Sequence, residues 1–318
     1  MKNYNLIFLV FVLLLSACNN RGGRVTRTDT LTSGMAVIAA DDCYAPILAE
    51  EIAVFTGLNA EAGIDPVYAG EKEIFEYLFS DSIRLIVAAR DLTDAERIYI
   101  REKLNLTPRS QKIATDGIAL IVNPANRDTL MTVSALQKIM NGEITRWKEV
   151  NPGATPSLND EIQVVFDHPS SSTLRFIADS ICRGEAFSER LRALNGNREV
   201  VDYVASTPNA LGVIGVNWIS NPSDSTKLSF DKKIRVVSLS RSETAVPSNS
   251  YKPFPAYFAT GNYPLTRDMY VILTDLRETL PAGFVKFVAG DSGQRIILKA
   301  GLVPATRPTR LINIQPDF

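Results

Sequence analysis

The chain passes repeatedly from a short apolar run, through a polar turn, into apolar residues spaced every three or four positions, and this handover limits the folds open to it. Val164-Val165-Phe166 is followed by Asp167-His168-Pro169-Ser170-Ser171-Ser172-Thr173 and then by Leu174, Ile177 and Ala178. Pro169 disfavours helix at His168, a serine can cap the free N–H groups that follow, and the later residues mark a buried helix face. Ala36–Ala40 leads in the same way through Asp41-Asp42-Cys43-Tyr44-Ala45-Pro46 to Ile47, Leu48, Ile52 and Phe55. A helix carrying Ile74, Tyr77, Leu78 and Phe79 then returns to a buried strand, Ile83–Ala89, with Arg90 at its end. Such repeated β-α-β units predict an α/β fold with a mainly parallel, helix-covered sheet whose strand ends and helix starts share one edge.

The serine-rich turn is a helix mouth, where unpaired N–H groups and hydroxyls can hold an oxyanion; an ordinary serine cap uses the same residues. Elsewhere, Gly57 reads as the stop of the first helix and Phe187–Leu194 as a helix ended by Gly196,. Lys233–Leu239 reads as an edge strand, and Phe284–Val288 with Gly293–Ala300 as one final helix closed by Gly301.

Charge narrows the partners. The 318 residues carry 34 basic and 35 acidic side chains, so no global field favours nucleic acid or an anionic membrane, and any charged site is local,. Lys2, the apolar run Leu6–Leu15 and Ser16-Ala17-Cys18 predict a signal peptide over residues 1–18, and Leu15-Ser16-Ala17-Cys18 is similar to a bacterial lipobox, which implies lipidation of Cys18,. Residues 19–33 form a polar tether, and folding starts near Gly34,. Pairing of Cys43 with Cys182 stays open, buried free thiols being the commoner fate,. With His168 the sole histidine, no multi-histidine metal site can form within one chain, and a triad of Asp167, His168 and Ser171 would sit on a single turn,. No catalytic group, cofactor or metal site is expected.

Four stretches carry a family resemblance: Asp116-Gly117-Ile118-Ala119-Leu120-Ile121-Val122-Asn123-Pro124; Leu136 and Ile139 with Asn141-Gly142-Glu143-Ile144 through Trp147; Tyr263-Pro264-Leu265-Thr266-Arg267; and Gly293-Gln294, Ile296-Ile297, Gly301 and Pro304. In order and spacing the chain resembles the phosphate-binding components of Pst-type ABC transporters, which are type II periplasmic binding proteins. The resemblance implies two α/β lobes joined by a two-stranded hinge, residues 34–115 with 240–318 in one lobe and 116–239 in the other. It also implies a small solute, phosphate or another, gripped in the cleft, and a membrane permease as partner.

The departures concern the ligand. The family surrounds phosphate with a hydroxyl residue in the first loop, a serine in the second, an aspartate near the fourth strand, and an arginine four residues before a Ser-Gly-Thr signature. These positions fall here on Asp42, near Glu71, on Ala89 beside Arg90, and on Asp167, while the signature reads Ser171-Ser172-Thr173. The expected ligand-binding set is therefore Asp42, Cys43, Glu71, Arg90, Asp167, Ser171, Ser172 and Thr173. Arg90 is expected to pair with Asp94 or Glu96, and Arg175 to be a solvated helix residue. Carboxylates replacing an arginine and a hydroxyl predict weak phosphate binding. Two functions follow: a lipid-anchored, periplasmic solute-binding protein in the bacterial envelope with altered ligand choice, or an envelope interaction protein that keeps the fold with a degenerate cleft.

Overall fold

The computed structural model describes residues 29–151, 161–220, 229–275 and 277–306; the expected signal peptide, Cys18 and most of the tether lie outside the described residues. Three parallel strands open the chain, with β1 (Gly34–Asp41) between β2 (Ala62–Ala69) and β3 (Leu85–Ala88). Helix α1 (Ala45–Leu58) starts with a proline in its first turn, which suits proline's fixed φ, and buries Ile47, Leu48, Glu51 and Phe55,. Helix α2 (Glu71–Phe79) buries Ile74, Phe75 and Leu78 in the second crossover. A reciprocal cap between Thr93 and Glu96 starts α3 (Asp94–Lys103),.

The sheet changes halves along β4 (Arg109–Val122), a strand of 14 residues. Helix α4 (Val133–Met140), capped by Thr132, and the short pair β5 (Leu130–Thr132) with β10 (Ser238–Ser240) follow it. Strand β6 (Gln163–Phe166) leads into α5 (Ser172–Phe176), which continues as a wider helical turn over Ile177–Cys182. Next come β7 (Arg192–Ala193), α6 (Asn197–Ser206), β8 (Ala210–Gly215) and β9 (Arg235–Val236). Helix α7 (Pro255–Ala259), β11 (Thr266–Leu273), α8 (Leu280–Ala289), α9 (Asp291–Lys299) and β12 (Val303–Pro304) complete the described fold.

The strand order is β2-β1-β3-β11-β4-β8-β6-β7, with β9 and β12 also on β4. Arg109–Gly117 of β4 runs antiparallel to β11, and Ile118–Val122 runs antiparallel to β8. The sheet is thus mixed, not mainly parallel: β1, β2 and β3, like β6, β7 and β8, are parallel neighbours, while the two strands joining the halves are antiparallel. Tyr263, fully buried, fixes the joint by donating its hydroxyl to the Ile118 carbonyl at 2.7 Å, while the Ile118 N–H donates to the Leu265 carbonyl at 2.9 Å.

Four local expectations differ from the fold, the first being that Lys233–Leu239 is not one edge strand: Arg235–Val236 pairs with β4, while Ser238–Ser240 pairs with β5. Phe187–Leu194 is not helical, because Arg183 and Gly184 turn the chain at positive φ and Arg192–Ala193 then takes the open edge of β6, with Leu191 and Leu194 packed on the core. Gly57 lies inside α1 and Asn59 caps it, the Asn59 amide group donating to the Phe55 carbonyl at 2.8 Å. The last helix is two helices, since Gly290 is extended between α8 and α9.

That junction allows no added atom: a Cβ at Gly293 would lie 2.5 Å from the Val288 Cα and 2.6 Å from two backbone oxygens, whereas one at Gly57 meets nothing within 4 Å. Gly293→Ala should therefore cost about 1–3 kcal/mol, and Gly57→Ala should gain about 0.5–1 kcal/mol, both read from urea unfolding midpoints.

Candidate functional site

Two turns, one from each half of the sheet, meet in the interior. In the first, Asp41 ends β1 and its carboxylate accepts the Cys43 N–H at 3.0 Å, closing a tight helical turn over Asp42–Tyr44. In the second, Ser171 caps α5 by accepting the Leu174 N–H at 3.2 Å, and Ser172 and Thr173 are buried. The turns bond to each other: Asp41 Oδ2 accepts the Ser172 N–H at 3.3 Å, and Cys43 Sγ lies 3.5 Å from the Ser172 hydroxyl. Asn197, the first residue of α6, donates its amide group to Asp42 at 2.9 Å and to Asp167 at 3.3 Å, while the Thr173 hydroxyl donates to Asp167 at 3.4 Å. The Cys43 carbonyl accepts from the side chains of Asn217 and Trp218, each at 2.9 Å.

Arg267 ties these pieces together. The register of β11 on β4 sets it opposite Asp116, and its Nε donates to Asp116 Oδ2 at 3.0 Å. Its two terminal nitrogens reach the Ser172 hydroxyl at 2.8 Å and Cys43 Sγ at 3.1 Å. A cation therefore stands in the inner cleft, on a hinge-type strand and not before the serine signature.

An outer cluster lies across the same cleft. Glu71, the first residue of α2, accepts from Nε and Nη2 of Arg175 on α5, and Arg90 Nε is 3.6 Å from the same carboxylate. Arg175 is thus an ion-pair partner of a buried glutamate, which its helical position alone did not reveal. Arg90 pairs with Glu96 through two bonds of 2.8 Å, and its guanidinium lies 3.8 Å from the centre of the Phe75 ring. Glu73 accepts the Ser170 hydroxyl at 2.7 Å. A cavity of about 630 Å³ opens here, between Phe75 and Phe79 on one wall and Leu174 and Phe187 on the other.

The structure accordingly places Asp42, Cys43, Asp167, Ser171, Ser172 and Thr173 in the inner cluster and Glu71 and Arg90 in the outer one. Sequence reasoning missed Asp41, Asp116, Asn197, Asn217 and Arg267 as site residues. Asp116 and Arg267 stood inside motifs already singled out; Asn197 and Asn217 carried no local signal. Cys43 and Cys182 are both free and buried. His168 is a loop residue whose Nδ1 lies 2.8 Å from the Ser170 hydroxyl. Among the described residues no group of three or more His, Cys, Asp or Glu is placed to hold a metal ion.

Burial shapes the electrostatics. It raises the Asp116 carboxyl even beside Arg267, and it raises the Cys43 thiol well above its ordinary value, with Asp41 adding to the effect. Burial alone would lower Arg267, but Tyr44, Cys43, Asp116 and Asp41 outweigh it, so the guanidinium stays charged. Burial likewise pushes Asp167 from 3.8 up to about 6, against the Ser171 hydroxyl and with help from Asp41,. A carboxyl raised by folding supports the fold fully below its unfolded pKa, and that support is lost as pH rises through the folded value. Wild-type stability should therefore fall by about 3 kcal/mol between about pH 4 and pH 6 from this group. Asp167→Asn should remove that fall, seen as the difference between the two melting-temperature profiles against pH.

Comparison with known proteins places the chain. The PBP_like_2 model, a PBP superfamily domain, matches residues 25–292. The phosphate-binding protein PstS of Borreliella burgdorferi is 24% identical over 307 residues, covering 94% of this chain and 96% of its own. A structure assigned as a phosphate ABC transporter substrate-binding protein with bound phosphate, from Clostridium perfringens, superposes with a TM-score of 0.70 at 20% identity, over 86% of this chain and all of its own. An ABC-type phosphate transport receptor from Vibrio cholerae gives a TM-score of 0.62 at 21% identity, over 84% and 99% of the two chains. These solved structures share its mixed α/β architecture of periplasmic phosphate-binding proteins. By the match of the PBP_like_2 model to most of its length, the chain belongs to the PBP superfamily.

Proposed function

We propose that this protein is a periplasmic solute-binding component of an ABC-type uptake system of the phosphate-transporter kind. It performs no bond chemistry. The observation that carries the reading is the meeting of the Asp41–Tyr44 and Asp167–Thr173 turns, from opposite halves of the sheet, around Arg267. That is the geometry of a cleft that closes on a small solute and then presents both lobes to a permease. Residues 34–115 with 240–318 make one lobe and 116–239 the other, with β4 and β11 as the hinge. Full-length similarity to PstS of Borreliella burgdorferi supports the assignment. A lipid on Cys18 tethers the protein to the envelope membrane; among the described residues no helix is long and apolar enough to cross one.

Phosphate, the ligand of those relatives, meets an acidic cleft here. In the inner cluster Asp41, Asp42, Asp116 and Asp167 stand with the guanidinium of Arg267, which is already bonded three times, while Arg90 and Arg175 of the outer cluster are paired with Glu96 and Glu71. A repelling unit charge at 4 Å costs about 4 kcal/mol at an effective dielectric of 20, so phosphate binds weakly and another small solute is preferred. The second reading, an interaction protein, is favoured by the bonds of Glu71 with Arg175 and of Glu73 with Ser170, which occupy side chains of the cleft with one another.

Calorimetric titration of the delipidated chain with phosphate at neutral pH should give an affinity weaker than micromolar; micromolar or tighter binding would refute the altered ligand choice. A thermal-shift screen of small solutes should find one that raises the melting temperature, by up to about 2.7 kcal/mol of stabilisation at one hundred times its dissociation constant. No shift with any solute, together with recovery of an envelope partner, would favour the interaction reading. Cys18→Ala should move the protein out of the membrane fraction.

A further inference from the structure

We infer that Asp41 is the residue that sets the charge of the accepted solute, by seating the chain's own carboxylate on the donors an oxyanion would use. The inference rests on the solute-binding reading and deepens it. One oxygen of Asp41 accepts the Cys43 N–H at 3.0 Å and the other accepts the Ser172 N–H at 3.3 Å. These two N–H groups belong to the two turns that meet in the cleft, one from each half of the sheet. The Arg267 guanidinium bonds to the side chains of the same two residues, Cys43 and Ser172, so carboxylate and cation are held by one pair of partners.

The seat is built and dry. Asp41 is 1% exposed, Ser172 is 0% exposed, and the side chain of Arg267 is 2% exposed. As the last residue of β1, paired with Ala69 of β2, Asp41 has its backbone fixed by the sheet, and a short side chain from a fixed backbone cannot swing far aside,. An incoming oxyanion must break both main-chain bonds and then lie against the displaced carboxylate. The bond to Ser172 also joins the two halves, so the group that excludes an anion also closes the cleft in its place.

Asp42 provides the contrast. It carries the same charge in the same cleft but bonds to the amide group of Asn197, leaving the Cys43 and Ser172 N–H groups untouched. Removing the Asp42 charge tests general repulsion; removing the Asp41 charge tests occupation of the seat.

The experiment titrates inorganic phosphate into wild type, Asp41→Asn, Asp41→Ser and Asp42→Asn at pH 7.5 and fixed ionic strength, with circular dichroism confirming the fold of each. Both Asp41 variants should bind phosphate at least tenfold more tightly than wild type, about 1.4 kcal/mol, and Asp42→Asn less than threefold. Equal gains at Asp41 and Asp42 would overturn the inference, as would no gain at Asp41. Micromolar phosphate binding in wild type that is lost in Asp41→Asn would also overturn it, making Asp41 a ligand-binding group while upholding the solute-binding reading. A measurement on the unmutated protein stands beside these: in the solute-free chain the Cys43 and Ser172 amides should be protected from hydrogen exchange, and rapid exchange at either would refute the occupied seat.

Discussion

The buried pair of Arg267 and Asp116 is the constraint on which the rest of the cleft depends. Both side chains are out of water, 2% and 0% exposed, on strands that pair antiparallel where the sheet passes from one half to the other. Burying two such ions costs several kcal/mol each unless their remaining hydrogen-bond capacity is met. One carboxylate does not suffice for a guanidinium with five N–H donors, and the remaining acceptors here are the Ser172 hydroxyl and the Cys43 sulfur,. The two turns are therefore part of the solvation of Arg267. Opening the cleft would remove the Ser172 acceptor from the cation, so the position of the lobes and the stability of the hinge pair are linked.

This linkage extends to the other bonds between the two halves. Across it run the bonds from Ser172 to Asp41, from Asn197 to Asp42, from Arg175 to Glu71 and from Ser170 to Glu73. The first two lie in the inner cluster with little solvent to compete, while Arg175 is 32% exposed and its ion pair contributes correspondingly less,. If the open form is the one that admits solute, apparent affinity scales with the fraction of molecules that are open. The side chains placed to grip a solute thus already grip each other.

Much of this was legible in the sequence where it was local. The strand-turn-helix units around Asp42 and Ser171 follow from proline, serine and three-to-four apolar spacing, and the motifs at Asp116 and Arg267 carried the family. The pairing of Arg267 with Asp116 was not legible, since it joins residues 151 positions apart through a strand register. The ion pair of Arg175 with Glu71 spans 104 positions for the same reason. Asn197 was hidden by the expected helix over Phe187–Leu194: once that segment instead takes the edge of β6, Gly196 becomes the residue before α6 and its neighbour points into the cleft bonds. Reading Asp167 as the loss of the family's arginine was a comparison at one position, whereas charge in a cleft is set by everything that folds into it.

The same point separates having a cation from having an anion site. Arg267 supplies positive charge, yet it does so from a hinge-type strand, with its donors directed at Asp116, Ser172 and Cys43. An arginine before the serine signature would present its donors to the cleft from one lobe; Arg267 spends them between both lobes and the hinge. Asp167 then shows what the cleft lacks: although Arg267 lowers its pKa, burial and Asp41 leave it at about 6,. Burial, the largest of these influences, thus outweighs Arg267 at Asp167, while the donors of Arg267 are engaged by Asp116, Ser172 and Cys43.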